Sequence, residues 1–323
     1  MDNLKKIPIF FTFNDDYVIP AAVAFDSLLK RASADVAYQM FVIHSDISPD
    51  NQKLLHRIVA DCGNAACLVF VDSQGFLRDE WQQGNFEGHN QKTQFTVDTI
   101  IRCFAASFFP QFDKIIYSDV DVVFMDDISE LYEVDLTGCY IAGVKSAFMR
   151  HDANELSHLS AEHYEKFKDS YFAGGIWLMN LAQIRRDQLE TRMLSIVRDP
   201  TIIKRWNDQD IMNIACDNRV AYVSLRYISY PYLQDRMSEP GFVSHYSTEE
   251  LLESIEKPKI LHFAGVKPWN AFPNKRQIWW DHFERLGLPR TRIFDRPISW
   301  KYRLYFKLWQ KLSKKLRDKG MIQ

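Results

Sequence analysis

At 323 residues, with 46% apolar, 14% aromatic and 25% charged side chains and a formal net charge of −2, the chain has the composition of a folded globular protein, which excludes a disordered or strongly basic nucleic-acid-binding one. Its five cysteines, Cys62, Cys67, Cys103, Cys139 and Cys216, are odd in number and form no CxxC pair, which argues against a zinc ribbon or redox couple and for buried thiols in a reducing compartment. The apolar run near the N-terminus ends in Asn14 and Asp15 without a small-residue cleavage site, and no stretch approaches the ~18 uncharged apolar residues of a membrane-spanning helix, so the expectation is a cytosolic protein.

The first buried strand is predicted over residues 7–13, "IPIFFTF", followed by a polar turn "NDDY" and a helix over 20–31 with Pro20 in its first turn. A second strand over 37–45 leads to a helix over 48–63, capped by Ser48 and closed by Gly63, and then to a third strand over 66–73. A helix around 95–109 precedes "KIIYSDVDVVF", residues 114–124, predicted as the fourth strand of a β-α repeat. That rhythm implies α/β architecture with a mostly parallel, doubly wound sheet and ligands beyond the carboxyl ends of its strands.

The second half is less regular. Strand-like runs at 139–146 and 171–181 are separated by a polar segment holding His151, His158 and His163. Helices over 181–197 and 207–216, a strand over 219–227, the stretch "PKILHFAGVKPW" and a closing helix over 275–287 follow. No internal repeat or low-complexity linker interrupts the chain before about Pro289.

Chemistry concentrates at two strand ends. On an extended chain Asp119 and Asp121 face the same way and Val120 the other. Two carboxylates so close repel, and they are stabilised by a shared hard cation such as Mg²⁺ or Mn²⁺, which also takes phosphate oxygens. Late in the chain His262 ends another apolar strand and is followed by Gly265 and Lys267. A lone histidine at a strand end is usually structural, and the alternative here is a third metal ligand, since the glycine that follows lets backbone approach a ligand and the lysine suits a phosphate.

Taken together, "FTFNDDY", Arg102 seventeen residues before Asp119, "YSDVD", "FAGGIWLMNL", "NDQDIMN" and "HFAGVKPW" resemble glycosyltransferase family 8, in order and spacing, over residues 7–286. The resemblance implies a GT-A type, Rossmann-like mostly parallel sheet with a smaller added sheet, and a retaining transfer of a hexose, galactose or glucose, from a UDP-sugar to a bacterial surface glycan such as lipopolysaccharide, O-antigen or capsule. It implies Asp119, Asp121 and His262 as ligands of Mn²⁺, with Mg²⁺ as a substitute. Thr12, Asn14, Asp16 and Tyr17 then line the uridine pocket, Arg102, Val120, Gly265 and Lys267 complete the donor contacts, and Asp208 and Gln209 flank the anomeric carbon. Two residues depart from the family pattern: Ala173 stands where an asparagine commonly contacts the donor sugar, and Lys145 with Ser146 where relatives often carry a carboxylate.

The implied organisation is one GT-A domain over 1–288, its nucleotide-binding half at 1–125 and its donor and acceptor half at 126–288, with a tail over 289–323. In the tail Trp300, Leu304, Leu308, Leu312 and Leu316 fall at i+4 spacing, with Tyr305 and Trp309 beside them and Arg303, Lys307, Lys314 and Arg317 opposite. A basic amphipathic helix of this kind suits the surface of an anionic membrane, here the inner face of the cytoplasmic membrane, and equally a face docked on its own domain. Two other functions fit parts of the pattern. A haloacid-dehalogenase-type phosphatase also places DxD at a strand end, though on its first strand and without "HFAGVKPW"; a non-catalytic homologue would bind UDP-sugar without turnover.

Overall fold

Strands buried on both faces read as continuous apolar runs, and the first strand is of this kind: Ile7, Ile9 and Phe11 pack into one core and Phe10 into the other. The computed structural model of the protein describes residues 4–63, 65–83, 97–147, 156–271 and 273–290. Its strands are β1 (Lys5–Thr12), β2 (Val36–His44), β3 (Cys67–Asp72), β4 (Lys114–Ser118), β5 (Val122–Phe124), β6 (Ile141–Lys145), β7 (Phe172–Asn180), β8 (Val220–Tyr222) and β9 (Ile260–His262). Seven of them form one sheet in the order β3-β2-β1-β4-β7-β6-β8, and β5 and β9 form a second. The first four are parallel, β7 runs antiparallel to both β4 and β6, and β6 and β8 are parallel. The expected mostly parallel sheet with a smaller added sheet is therefore present.

The β-α alternation of the first half matches expectation closely. Helix Val18–Arg31 carries Pro20 in its first turn, and helix Pro49–Asp61 begins after Ser48 and ends before Gly63, whose φ of +70° needs a residue without a Cβ. Ser48 stands at the N-cap position without a side-chain cap bond; its amide instead donates to Asp15 at 2.8 Å, which ties the turn after β1 to the helix after β2.

Four predicted elements differ. "KIIYSDVDVVF" is two strands in two sheets, because Asp119 to Asp121 leave the main sheet between β4 and β5. The helix expected around 95–109 is a chain of short turns, Asp98–Ile101, Arg102–Phe104 and Ala105–Phe108, its first residues lying outside the described ones. The helix expected over 181–197 is two, Leu181–Arg186 and Leu189–Arg198, divided where Gln188 turns left-handed at φ +52°. The strand expected over 219–227 ends at Tyr222, and Ser224 then opens the 3₁₀ turn Leu225–Ile228 by accepting from the Arg226 amide. The tail residues named above and His151 lie outside the described residues.

The chain is closed by helix Arg276–Arg285, whose Trp279 and Phe283 are buried and stacked at 5.6 Å. Asp26, buried in the first helix, receives His282 at 2.6 Å and Lys30 at 2.7 Å, which bolts this helix to the N-terminal half.

Candidate active site

The break in "KIIYSDVDVVF" is what brings the carboxylates together. The Asp119 amide donates to the Gly175 carbonyl of β7 at 3.0 Å, and the Asp121 carbonyl accepts from Phe263, just past β9, at 2.9 Å. The three-residue segment Asp119–Asp121 is thus pinned to both sheets, and the Val120 side chain packs into the core. His262, the antiparallel partner of Val122, arrives beside them from β9.

Each carboxylate is shared in the same way. Asp119 gives Oδ1 to Arg102 and to the Tyr117 hydroxyl, and its Oδ2 lies 3.5 Å from His262 Nε2. Asp121 gives Oδ2 to the Lys267 ammonium, and its Oδ1 lies 3.2 Å from the same nitrogen. One oxygen of each is tied to a protein cation and the other is turned to the imidazole. Among the described residues this trio is a group whose ligand atoms all lie within 4.8 Å of one another. Two carboxylate oxygens and an imidazole nitrogen suit a borderline-hard divalent ion such as Mn²⁺, so the residues present fit the implied metal.

The electrostatics agree. Burial alone would raise the Asp121 pKa, but Lys267 and His262 outweigh it and hold the carboxyl far below the usual range. Lys267, buried and also donating to the Phe263 carbonyl at 3.1 Å, would lose its proton more readily through burial, yet Asp121 raises its pKa instead.

The glycines of "YFAGGI" set how closely the pieces approach. A Cβ on Gly175 would stand 2.6 Å from His262 Nδ1, and one on Gly174 would stand 2.9 Å from the Asp208 carboxylate and 2.8 Å from Gln209 Cγ. The His262 ring also stacks on Tyr230, with centroids 5.9 Å apart. Gly175→Ala is therefore expected to push His262 aside and to abolish metal-dependent nucleotide binding while β7 still folds; calorimetry with and without Mn²⁺ checks this, and unchanged binding would refute the packing argument. Glycine inside a strand signals close approach, and this was the available sign of a contact that sequence reasoning did not draw.

Asp208 and Gln209 open helix Asp208–Cys216, preceded by Asn207 at φ +46°. That backbone is costly for a non-glycine residue, and its surroundings enforce it. Asn213 donates to the Phe172 carbonyl at 3.0 Å and accepts its amide at 3.0 Å, clamping the helix to β7. Asp210 accepts from Tyr171 at 2.7 Å, the Trp206 amide at 2.8 Å and, at 2.9 Å, pairs with His158. So anchored, Asp208 lies 3.7 Å from Arg102, which links it to Asp119. Burial raises the Asp208 pKa, Arg102 opposes this and Asp119 adds to it, leaving the carboxyl at about 7.

The residues expected to hold uridine gather at the end of β1 and in the turn after it. Thr12 Oγ1 and Asn14 Oδ1 are buried and make no hydrogen bond among the described residues, as is expected of groups that await a polar ligand. Tyr17 meets Trp269 edge to face at 6.0 Å, beside Lys267 in sequence, so the turn after β1 and the "GVKPW" loop share one side of the site. Asp16 is exposed on that turn. Gly265 adopts φ +77° with open space where a Cβ would point, so the loop's path depends on its backbone freedom. Ala173, where the family pattern has asparagine, is buried in the core, and Ser146 donates its amide to the Tyr171 carbonyl at 2.8 Å.

The family model for glycosyl transferase family 8 matches residues 8–272. Lipopolysaccharide 1,2-glucosyltransferase of Escherichia coli is 21% identical over 280 residues, spanning 85% of this chain and 76% of that protein. The structure of the galactosyltransferase LgtC, in complex with donor and acceptor sugar analogues, superposes with a TM-score of 0.69 at 19% identity over 88% of this chain and 97% of that one. The bifunctional glycosyltransferase WbbM superposes with a TM-score of 0.73 at 22% identity over 93% of this chain, which spans about half of WbbM, 52%. The superpositions speak for the GT-A fold, and the family match sets aside the phosphatase reading, as does the position of DxD after three β-α units. The chain belongs to glycosyl transferase family 8 and is a glycosyltransferase.

Proposed function

We propose that the protein is a retaining, Mn²⁺-dependent transferase that moves a hexose, galactose or glucose, from a UDP-sugar to a saccharide of a bacterial surface glycan. The observation that carries the metal and donor reading is the shared trio: two carboxylates, each with one oxygen on a protein cation and the other on His262, set beside the Asp208 carboxylate. The likeness to a lipopolysaccharide glucosyltransferase supports the acceptor class.

Asp119, Asp121 and His262 would hold the cation, which supplies positive charge to the diphosphate as the sugar-phosphate bond breaks. Lys267 then exchanges a carboxylate oxygen for a phosphate oxygen, and Arg102 keeps a second positive charge between Asp119 and Asp208. Thr12, Asn14, Asp16 and Tyr17 bind and orient the uridine, and Gly265 lets the loop backbone come close to the diphosphate. UDP leaves as a trianion whose charge Lys267 and the cation would offset, so no strong general acid is needed. Asp208 and Gln209 face the oxocarbenium-like centre, and the acceptor hydroxyl attacks from the face that UDP leaves, passing its proton to a phosphate oxygen, so configuration is retained.

A panel of UDP-sugars, with UDP release measured with and without saccharide acceptors, tests the reading and fixes the donor. Hydrolysis or transfer with UDP-galactose or UDP-glucose is expected; UDP binding with no turnover for any donor would instead establish the non-catalytic reading. For the tail, which lies outside the described residues from 291 on, the sequence pattern supports peripheral attachment to the inner face of the cytoplasmic membrane. No helix among the described residues is long and apolar enough to cross a membrane. Removing residues after 298 is expected to release the protein from anionic vesicles while donor hydrolysis survives, and continued co-sedimentation would count against the tail.

A further inference from the structure

Asp119 differs from Asp121 in having a neutral donor as well as a cation on its first oxygen. Tyr117, two residues earlier and last but one in β4, is wholly buried, and its hydroxyl donates to Asp119 Oδ1. Its ring does a second thing: the Arg102 guanidinium lies over it, 4.7 Å from the centroid, while also donating to the same Oδ1. The ring itself cannot drift, because Phe10 and Trp177 contact it at 5.1 Å and 5.2 Å between centroids. A carboxylate on a single strand-end side chain can rotate about χ2 and offer either oxygen to a cation. Here two donors fixed by one tyrosine satisfy Oδ1 and leave Oδ2 facing His262 Nε2 at 3.5 Å.

We propose that Tyr117 is a positioning residue for the metal site: its hydroxyl and its ring-held Arg102 together lock Asp119 so that Oδ2 alone is presented beside His262 and Asp121. The inference rests on the metal reading above and adds to it a residue outside the trio and outside the donor contacts. Outer-shell partners that orient a ligating group typically change metal affinity by roughly 10–100-fold. A phenol is protonated at neutral pH, so the hydroxyl is the donor to the Asp119 carboxylate. The same tyrosine connects the metal site to the reaction centre, because Arg102 reaches Asp208 at 3.7 Å from its seat on the ring.

The test is Tyr117→Phe, which keeps the ring under Arg102 and removes only the hydroxyl. Mn²⁺ is titrated into the full-length chain at saturating UDP, with free Mn²⁺ read by electron paramagnetic resonance, and melting curves are taken without metal. Tyr140→Phe is the matched control: it removes a tyrosine hydroxyl bound to Asp187 at 2.8 Å, away from the trio. The expected result is a roughly 10-fold or greater loss of Mn²⁺ affinity in Tyr117→Phe, with none in Tyr140→Phe and comparable melting temperatures for both. Equal Mn²⁺ affinity in wild type and Tyr117→Phe would overturn the inference and leave the metal site standing. So would a loss of affinity that only accompanies collapse of the melting transition. Absence of Mn²⁺ binding in the wild type would overturn the metal reading and this inference with it, and the wild-type titration alone reveals that case.

Discussion

Asp121→Asn is expected to abolish Mn²⁺-dependent UDP binding, lowering affinity by at least ~100-fold, since altering even outer-shell groups costs roughly 10–100-fold. The same substitution is expected to destabilise the ligand-free protein. Lys267 is buried, and its ammonium is held by the Asp121 carboxylate and the Phe263 carbonyl. Removing one member of a buried pair strands the other charge, at a cost on the order of 3–5 kcal/mol, which the asparagine carbonyl offsets only in part. The two effects separate in the double variant Asp121→Asn, Lys267→Met. It removes the stranded ammonium and is expected to recover thermal stability without recovering binding. Thermal melts with chelator report the first effect and calorimetry with Mn²⁺ and UDP the second. Metal-dependent UDP binding that survives in Asp121→Asn would refute the metal assignment outright.

That separation turns on a feature the sequence did not disclose. The residues of the trio were legible because "SDVD" and "LHFAG" put carboxylates and a histidine at the ends of apolar runs, where an ionised group needs a partner. How they meet was not. Alternation along one strand explains why Asp119 and Asp121 share a side, but the structure breaks that strand and brings them together through bonds to Gly175 and Phe263, both far away in sequence. Long-range pairing of this kind leaves no local periodicity to read. Tyr117 was hidden for a related reason: as an apolar residue in a buried strand it reads as core, and its role depends on Arg102, fifteen residues earlier in a broken helix. The paired glycines were the exception, since a double glycine in a strand is a local sign of close approach, and here His262 and Asp208 fill the space. The first two β-α units were legible because β1 and β2 read as buried apolar runs and helix Pro49–Asp61 has Pro49 at its start and Gly63 past its end; the third was not, because β3 is largely half-exposed and the helix expected after it is a chain of short turns. In the second half the helices Asp208–Cys216 and Arg276–Arg285 were legible too, but the division of the helix expected over 181–197 was not, because it falls at Gln188, a left-handed residue that is neither glycine nor proline.

Asp208→Asn is expected to reduce kcat by roughly 10²–10³ while leaving the KM for the UDP-sugar nearly unchanged, the pattern of a charge that acts on the transition state and not on the bound donor. Its second expected effect is on stability, and the sign follows from the direction in which burial moves the pKa. In the folded, ligand-free protein burial raises the Asp208 carboxyl from 3.8 to about 7. Between those values the folded state holds a proton that the unfolded state has released, so stability is fully present below about pH 4 and is lost as pH rises through 7. A tenfold change in an acid constant is worth about 1.4 kcal/mol, so the loss is on the order of a few kcal/mol. Asparagine does not titrate and keeps the neutral form's shape. The melting temperature of Asp208→Asn relative to wild type, measured with chelator, should therefore rise from pH 5 to pH 8. Parallel pH profiles for the two proteins would show that Arg102 already compensates the carboxylate, and retention of full kcat would remove Asp208 from the reaction centre. The two readouts answer separate questions, because the stability slope reports the charge in the ligand-free protein, whereas kcat reports the same charge facing a donor whose developing positive centre gives it a partner.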